Sequence, residues 1–508
     1  MGLDAALSIA TGGLGNVSAG LALVSHNVAN AGTPGYVTET ATQTALDAAG
    51  VGMGVRTGPA IRLIDAQVQA SLQAGASTVA GLTTQQSALQ AIDAVQGTPG
   101  QGQDLASLLG ALGNQFSTLL NDPANATQQE AVVTAAGKLT GQINALSGAY
   151  TAQRQAAQDA ILAGVGSVNA ALGAIGSLSD QIMAAKAAGR STADLENQRD
   201  AQVAGLAQLI DVKTLPQPNG DLLIATASGT ELPTHGPANP LATAGANVQP
   251  GAWYPGGAIP AVTLGGVDVT ASLTGGQIGA NIALRDSVLP TNQAELDEFA
   301  QNLASRFGDQ GLALFTDATG AVPAGGGVPA QAGYVGFAAI VQVNPTIAAT
   351  PSLVRDGTTA IAGSLTGASA FTPNPPGGPA GFSTLIARVL DFALGADAQS
   401  GVAQPASRVS GLGPSGMLAA PYASQPTLGG IAGALVGAQA VASAAVSGDL
   451  TTEQAAQTTL QSQFASQSGV NMDTQMSQMI ALQNAYGANA KVIAAVQAMF
   501  GQLLSAVQ

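Results

Sequence analysis

There is no cysteine among the 508 residues of this chain. That removes disulfides, thiol catalysis and cysteine metal sites together. Aromatic residues are scarce at 3%, although hydrophobic residues reach 46%. A core must therefore be built from Ala, Val, Leu and Ile. Small side chains suit close helix packing and repeated subunit contacts better than deep ligand pockets, which are usually lined by aromatics. Positive charge is short as well: 14 Lys plus Arg stand against 29 Asp plus Glu, a net charge of −15. Such a surface repels phosphate backbones, so no nucleic-acid partner is expected. The two histidines, His26 and His235, are distant in sequence, and neither has a carboxylate cluster beside it. No metal site, and no other cofactor, is expected from them. No H-E-x-x-H, Walker loop or G-x-S-x-G occurs. The segment from Met1 to Gly20 has neither a basic n-region nor a continuous apolar h-region, so it does not read as a secretory signal. Gly429 to Val446 is the best membrane-span candidate, but it is weakly apolar and contains Gln439. A close-packed soluble helix is the better account of its Gly429, Gly433 and Gly437 spacing, and no membrane span is expected.

What the chain does have is a matching pattern at its two ends. Near the start, Leu3, Leu7, Ala10, Leu14, Val17, Leu21, Val24 and Val28 follow at alternating steps of four and three. Near the finish, Met472, Met476, Met479, Gln483, Tyr486, Ala490, Ile493, Gln497, Phe500, Leu504 and Val507 do the same. That rhythm is the seam of a helix packed lengthwise on another helix. It predicts a terminal helix pair that either closes one molecule or forms an assembly surface between many. The candidate interface residues are the apolar members: Leu3, Leu7, Leu14, Val17, Leu21, Val24 and Val28 on the first helix, and Met472, Met476, Met479, Tyr486, Ile493, Phe500, Leu504 and Val507 on the last. Gly12, Gly13, Gly15 and Gly20 lie inside the first helix. Each costs about 1 kcal/mol relative to Ala, roughly 4 kcal/mol in all. This helix is expected to be disordered in the free monomer and ordered by partners.

Between the ends, the pattern predicts a mainly α fold with β inserts: a terminal coiled pair, a long antiparallel helix bundle and a small β-rich inserted domain. The expected division is 1–36 and 467–508 for the two halves of the coiled pair, 37–212 for the bundle, 213–285 for the β insert and 286–466 for the return of the helical domain. Thr33 to Pro59 reads as irregular with some extended structure. Helices are expected over Ile61–Val95, Asp104–Asn121 and Asp194–Ile210. Val132, Ala136, Leu139, Ile143, Leu146 and Tyr150, then Ile161, Val165, Val168, Leu172, Ile175 and Ile182, carry the four-three rhythm between them. Beyond the insert, a helix starts at Pro290, Tyr334–Val343 reads as a strand and Ile386–Leu394 as a helix. A helix from Ile431 to Ser466 is interrupted at Ser447-Gly448.

Several short motifs invite chemistry. Gly411 to Gly416 matches G-x-G-x-x-G, but a dinucleotide site needs that loop between a strand and a helix, and Pro414 sits inside it. It reads as a loop. Asp194-Leu195-Glu196-Asn197-Gln198-Arg199-Asp200 is the densest charge cluster; it reads as a solvated helix face, with an ion-pair anchor between helices or subunits as the alternative. The insert offers Asp221, Glu231, His235 and Asp268 to an extracellular hydrolase, without a recognisable constellation. No enzyme activity is expected. Asn30 and Gly32 are suited to ending a helix in left-handed geometry, and Thr33-Pro34-Gly35 to a turn with Pro at its second and Gly at its third position.

The order Ala29-Asn30-x-x-Thr33-Pro34-Gly35-Tyr36 resembles the signature that ends the first helix in the axial proteins of the bacterial flagellum. Ser468 to Asp473 and Gln483 to Ile493 resemble the terminal helix of the same family. Within it, the long helical region after Ile61, the Asp194–Asp200 cluster, Asn344-Pro345 and Ser352 to Gly357 look like the hook-associated protein 1 branch. Val37-Thr38-Glu39 departs from that branch's usual Ser-Arg-Gln. The resemblance implies a structural protein of the hook–filament junction that assembles as a ring of identical subunits. It implies export, unfolded, through the flagellar type III channel, and a cytosolic chaperone on the C-terminal helix. Its neighbours would be the hook protein and a second hook-associated protein on the filament side. A hook or distal-rod subunit is the alternative, and a β-rich centre would favour it.

Overall fold

The computed structural model describes residues 2–33, 35–48 and 51–506. Helix α1 (Leu3–Asn30) leads into an antiparallel hairpin of β1 (Glu39–Ala48) and β2 (Val51–Arg62). Helices α2 (Ala66–Gln96), α3 (Leu105–Asn121), α4 (Ala126–Ala187) and α5 (Ala193–Leu209) follow. Strands β3 (Val212–Pro216), β4 (Leu222–Thr226) and β5 (Glu231–Leu232) form one small antiparallel sheet. Strands β6 (Leu241–Ala242), β7 (Thr263–Leu264) and β8 (Val267–Asp268) form another. Then come α6 (Gly276–Ala283), a π-helical turn at Leu284–Val288, and α7 (Leu289–Asp309). Strand β9 (Phe315–Thr316) pairs with β10 (Gln342–Val343). Three short helices, α8 (Pro345–Ala349), α9 (Leu353–Asp356) and α10 (Thr384–Arg388), precede two hairpins, β11 (Asp397–Gln399) with β12 (Val402–Ala403) and β13 (Ser410–Leu412) with β14 (Leu418–Ala419). The chain ends in α11 (Leu428–Ser468) and α12 (Met472–Ser505).

The long helices start where the sequence supplies caps. Asp65, Asp104, Asn125, Thr427 and Asn471 each accept a backbone N–H of the first turn, satisfying donors that have no partner inside the helix. Two hydrophobic cores share α4, whose 62 residues make a rod roughly 93 Å long. The first half of its stripe, Val132 to Tyr150, packs with α3, α7 and α11 around Phe116, Phe307 and Phe315. The second half, Ile161 to Ile175, packs with α5 and the β insert. Helices α2 and α11 run antiparallel, with Gln96 Nε2 donating to Val436 O at 3.4 Å, Ser443 Oγ to Asp93 Oδ2 at 2.6 Å and Gln86 Nε2 to Ser447 Oγ at 3.3 Å. The fold is therefore mainly α with small β inserts, as the pattern predicts.

Several expectations are corrected. Glu39–Ala48 and Val51–Arg62 pair as a long hairpin rather than irregular chain with some extended structure, because the pairing is stabilised by cross-strand contacts and by α1, neither of which is local. Strand pairing in the insert ends at Asp268, and the next helix begins at Gly276 rather than Pro290. Pro290 is accommodated by the π turn: Leu289 N–H bonds to Leu284 O, five residues back. In that spacing Pro290 would be the donor to Arg285 O, and that carbonyl accepts from Arg154 Nε at 3.1 Å instead. The Tyr334–Val343 run is mostly turn, with a 3-10 helix at Phe337–Ala339 and only Gln342–Val343 as strand. Helix α11 passes through Ser447-Gly448 without a break, held by its contact with α2. Gly411 to Gly416 links β13 to β14 and is followed by no helix, so the dinucleotide geometry is not met. By length and composition alone, three helical stretches could cross a membrane: Leu3–Asn30, Ala126–Ala187 and Leu428–Ser505. The second runs through both cores.

Candidate assembly surface and its polar knot

Helix α1 ends without left-handed geometry: Ala31 stays in the right-handed region, and Asn30 Nδ2 returns to His26 O at 3.0 Å. The turn comes later. Tyr36 N–H donates to Thr33 O at 3.2 Å, and Gly35 takes φ 78°, a region that favours glycine. Pro34, between them, lies outside the described residues, as does Val507. The turn folds Tyr36 back under α1. Its hydroxyl donates to Asn27 Oδ1 at 3.0 Å and lies 3.1 Å from His26 Nδ1. Burial and the Glu39 carboxylate push the Tyr36 phenol up, so it stays protonated as a donor. Burial likewise raises the Glu39 carboxyl, partly offset by His26.

Asn27 is the centre of this knot and is 1% exposed. Its Oδ1 also accepts from Glu39 N–H at 3.1 Å, while its Nδ2 donates to Glu39 O at 2.9 Å and to Gln475 Oε1 of α12 at 3.3 Å. All four of its hydrogen-bonding positions are therefore used. Thr38 ties the same strand to the turn between α11 and α12, donating from N–H to Ser468 O at 2.8 Å and from Oγ1 to Gly469 O at 2.6 Å. The two terminal motifs thus touch each other. One turn further along the hairpin, Arg62 bridges Glu196 at 2.9 Å and Asp200 at 2.7 Å and donates to Asn197 at 3.1 Å. The charge cluster on α5 is an anchor for β2, with Arg62 as the partner that its own segment could not reveal.

Above the knot, α1 and α12 pair along their length. On α1 the phase is as read: Ala10, Val17 and Val24 are buried, and Leu3, Leu7, Leu14, Leu21 and Val28 are half-buried. On α12 one of the two heptad positions holds at three residues and the other is corrected. Met479, Ile493 and Phe500 are half-buried on the seam side. Their seam partners are Gln475, Leu482, Asn489 and Val496, not Met476, Gln483, Ala490 and Leu504. Met472, Met476, Tyr486 and Leu504 are 43%, 46%, 44% and 70% exposed. The apolar side chains mislead because the seam takes two polar residues, Gln475 and Asn489, that α1 is shaped to receive. Asn27, Glu39, Arg62 and Gln475 were missed as functional residues; a polar residue at heptad phase was the available signal for Asn27 and Gln475.

Elsewhere, His235 Nε2 lies 3.1 Å from Asp221 Oδ1 and its Nδ1 3.7 Å from Asp180, and His26 Nδ1 lies 3.9 Å from Glu39. Each histidine thus lies near carboxylates remote in sequence, Glu39 for His26 and Asp221 and Asp180 for His235, because the fold brings them in. Asp268 is bonded to Tyr254 and Thr270 instead, so it stands apart from the Asp221–His235 pair. Among the described residues, no group of three or more His, Asp or Glu could hold a metal ion.

Residues 89–321 match the family model of the flagellar hook-associated protein FlgK helical domain, and residues 461–506 match that of the flagellar basal body rod FlgEFG protein C-terminal region. Flagellar hook-associated protein 1 of Escherichia coli K12 is 26% identical over 330 residues, covering 63% of this chain and 59% of that protein. Its counterpart in Salmonella typhimurium is 27% identical over 328 residues, covering 61% and 56%. The chain thus spans under three-fifths of the length of these curated relatives. The flagellar hook junction protein FlgK of Burkholderia pseudomallei aligns with TM-score 0.40 and 24% identity, over 50% of this chain and 45% of that one. The centre of the chain is thus similar to the helical domain of the flagellar hook-associated protein FlgK, its C-terminal end to the C-terminal region of flagellar rod proteins, and its matched curated relatives are flagellar hook-associated protein 1.

Proposed function

We propose that this protein is a structural subunit of the bacterial flagellum, exported to the hook–filament junction, where it joins hook to filament as a ring of identical copies. The observation that carries this reading is the terminal pair: α12 buries only Gln475 and Val496 and leaves Met472, Met476, Ile480, Tyr486, Val492, Met499, Leu503 and Leu504 exposed in the single chain. Such an apolar surface suits burial against neighbouring copies. Assembly then couples ordering of the two terminal helices to packing on those copies. The hook protein and a second hook-associated protein are the proposed neighbours, and an export chaperone is the proposed cytosolic partner of α12. The α2–α5 bundle and the helical-domain match support the junction over a hook or rod position. No catalytic role is proposed for the insert.

Deleting the gene and imaging the cells by electron microscopy, with flagellin assayed in the medium, tests this. Complete hooks without filaments and flagellin lost to the medium are expected. Missing hooks would move the protein to the hook or rod, and intact flagella would refute the reading.

A further inference from the structure

The geometry points to a register code in the terminal pair: Gly13, Gly20 and Asn27 of α1 admit α12 in one alignment only, opposite Asn489, Leu482 and Gln475. A Cβ added at Gly13 would lie 3.0 Å from Asn489 Oδ1, and one added at Gly20 would lie 3.1 Å from Leu482 Cδ2. Asn27 Nδ2 bonds to Gln475 Oε1. Each step of seven forward on α1 is a step of seven back on α12, so the three contacts form one antiparallel line. Gly12 and Gly15, off this line, have nothing within 4 Å of an added Cβ. The glycines of α1 therefore divide into two that receive side chains and two that face open space.

The seam needs such a code. Ala10, Val17 and Val24 repeat every seven residues with similar small side chains, so they pack about as well after a slip of one heptad. Among the described residues no ion pair joins α1 to α12 that could fix the alignment. A slip that brings Leu482 opposite Asn27 sets an apolar side chain against a buried amide and leaves one of its N–H groups unpaired. The same slip carries Gln475 away from α1. Gly13 and Gly20 are also one heptad apart, and after that slip Gly20 receives Asn489 as Gly13 did, so the Asn27–Gln475 pair specifies what the apolar repeat and the glycine holes leave degenerate. This is independent of where the protein sits in the flagellum.

The absence of cysteine gives a clean test in the full-length chain. Ala6 and Val496 continue the line by one heptad, and Leu503 is the residue that a one-heptad slip brings to Ala6. The paired variants Ala6→Cys/Val496→Cys and Ala6→Cys/Leu503→Cys are oxidised, and the intramolecular cross-link is read as a monomer band of altered mobility. The parent background is expected to favour the first pair at least tenfold. Adding Asn27→Leu is expected to abolish that preference. Asn27→Gln with Gln475→Asn, which exchanges the members of the polar pair, is expected to restore it and shows that loss was not simple unfolding. Equal yields in the parent, an unchanged preference in the Asn27→Leu background, or failure of the exchange to restore it would each overturn the proposal.

Discussion

At the scale of single residues, buried polar groups carry the most consequence. Glu295 on α7 is 4% exposed, and its Oε1 has no hydrogen-bond partner. Burial raises its carboxyl from 4.5 to about 8. The folded chain therefore holds a proton there that the unfolded chain releases above about pH 4.5. The stability contribution is fully present below that value and is lost as pH rises through about 8. Across that window the group alone shifts stability by up to about 1.4 kcal/mol per pH unit. Urea unfolding between pH 5 and 8 should show stability falling with pH, and Glu295→Gln should flatten the fall. A second prediction concerns glycine. Gly12→Ala and Gly15→Ala meet open space and should each stabilise α1 by about 1 kcal/mol, whereas Gly13→Ala and Gly20→Ala press on Asn489 and Leu482 and should gain less. Amide exchange within α1 measures the difference.

At the scale of elements, the terminal helices are joined to the rest through hydrogen bonds and ion pairs more than through a shared apolar core. Neither large core cluster includes a residue of α1 or α12. A charge in the seam should therefore break assembly and spare the body. Leu21→Asp or Ile493→Asp should block incorporation into flagella while the purified monomer keeps the thermal transition of its central helices. A normal filament from either variant would contradict this. Arg154 and Arg285 do the opposite job at the insert. Arg154 donates to Gln249 O and Ala252 O, Arg285 to Gln158 Oε1 and Pro260 O, and Asp286 balances the charge. The insert is thereby fixed to α4 and the π turn by buried, fully directed bonds.

At the scale of the whole molecule, stability is graded along its length. The centre is held by α4 and its two cores; the terminal pair holds its own seam and the packing of α1 on the hairpin, and much of α12 faces solvent. Local opening should follow that gradient. In the monomer, amides of α1 and α12 should exchange far faster than those around Ile143, Leu146 and Tyr150, and assembly should protect them. Comparable protection at both places in the monomer would refute a pair that is ordered by partners. The knot of Asn27, Tyr36, Glu39 and Gln475 sits where the weak and the strong parts meet, and it joins the N-terminal helix, the hairpin and the start of α12.

The sequence alone determined where α3 and α12 start, because the caps Asp104 and Asn471 act on the next turn of their own chain, whereas the starts of α2 and α6 were not legible from it. It determined the phase of α1 and α4, because a repeat of four and three has one apolar face there. It also determined which ends pair, through the two terminal motifs. Only the tertiary structure decided the second seam position of α12, where glycine holes and Asn27 on the facing helix select Asn489, Leu482 and Gln475 over apolar neighbours. It decided the hairpin, the unbroken α11 and the Arg62 anchor as well, because each depends on a partner remote in the chain. Local hydrogen bonds and periodicity are written into neighbouring residues, whereas the complementarity of two surfaces exists only once both are in place.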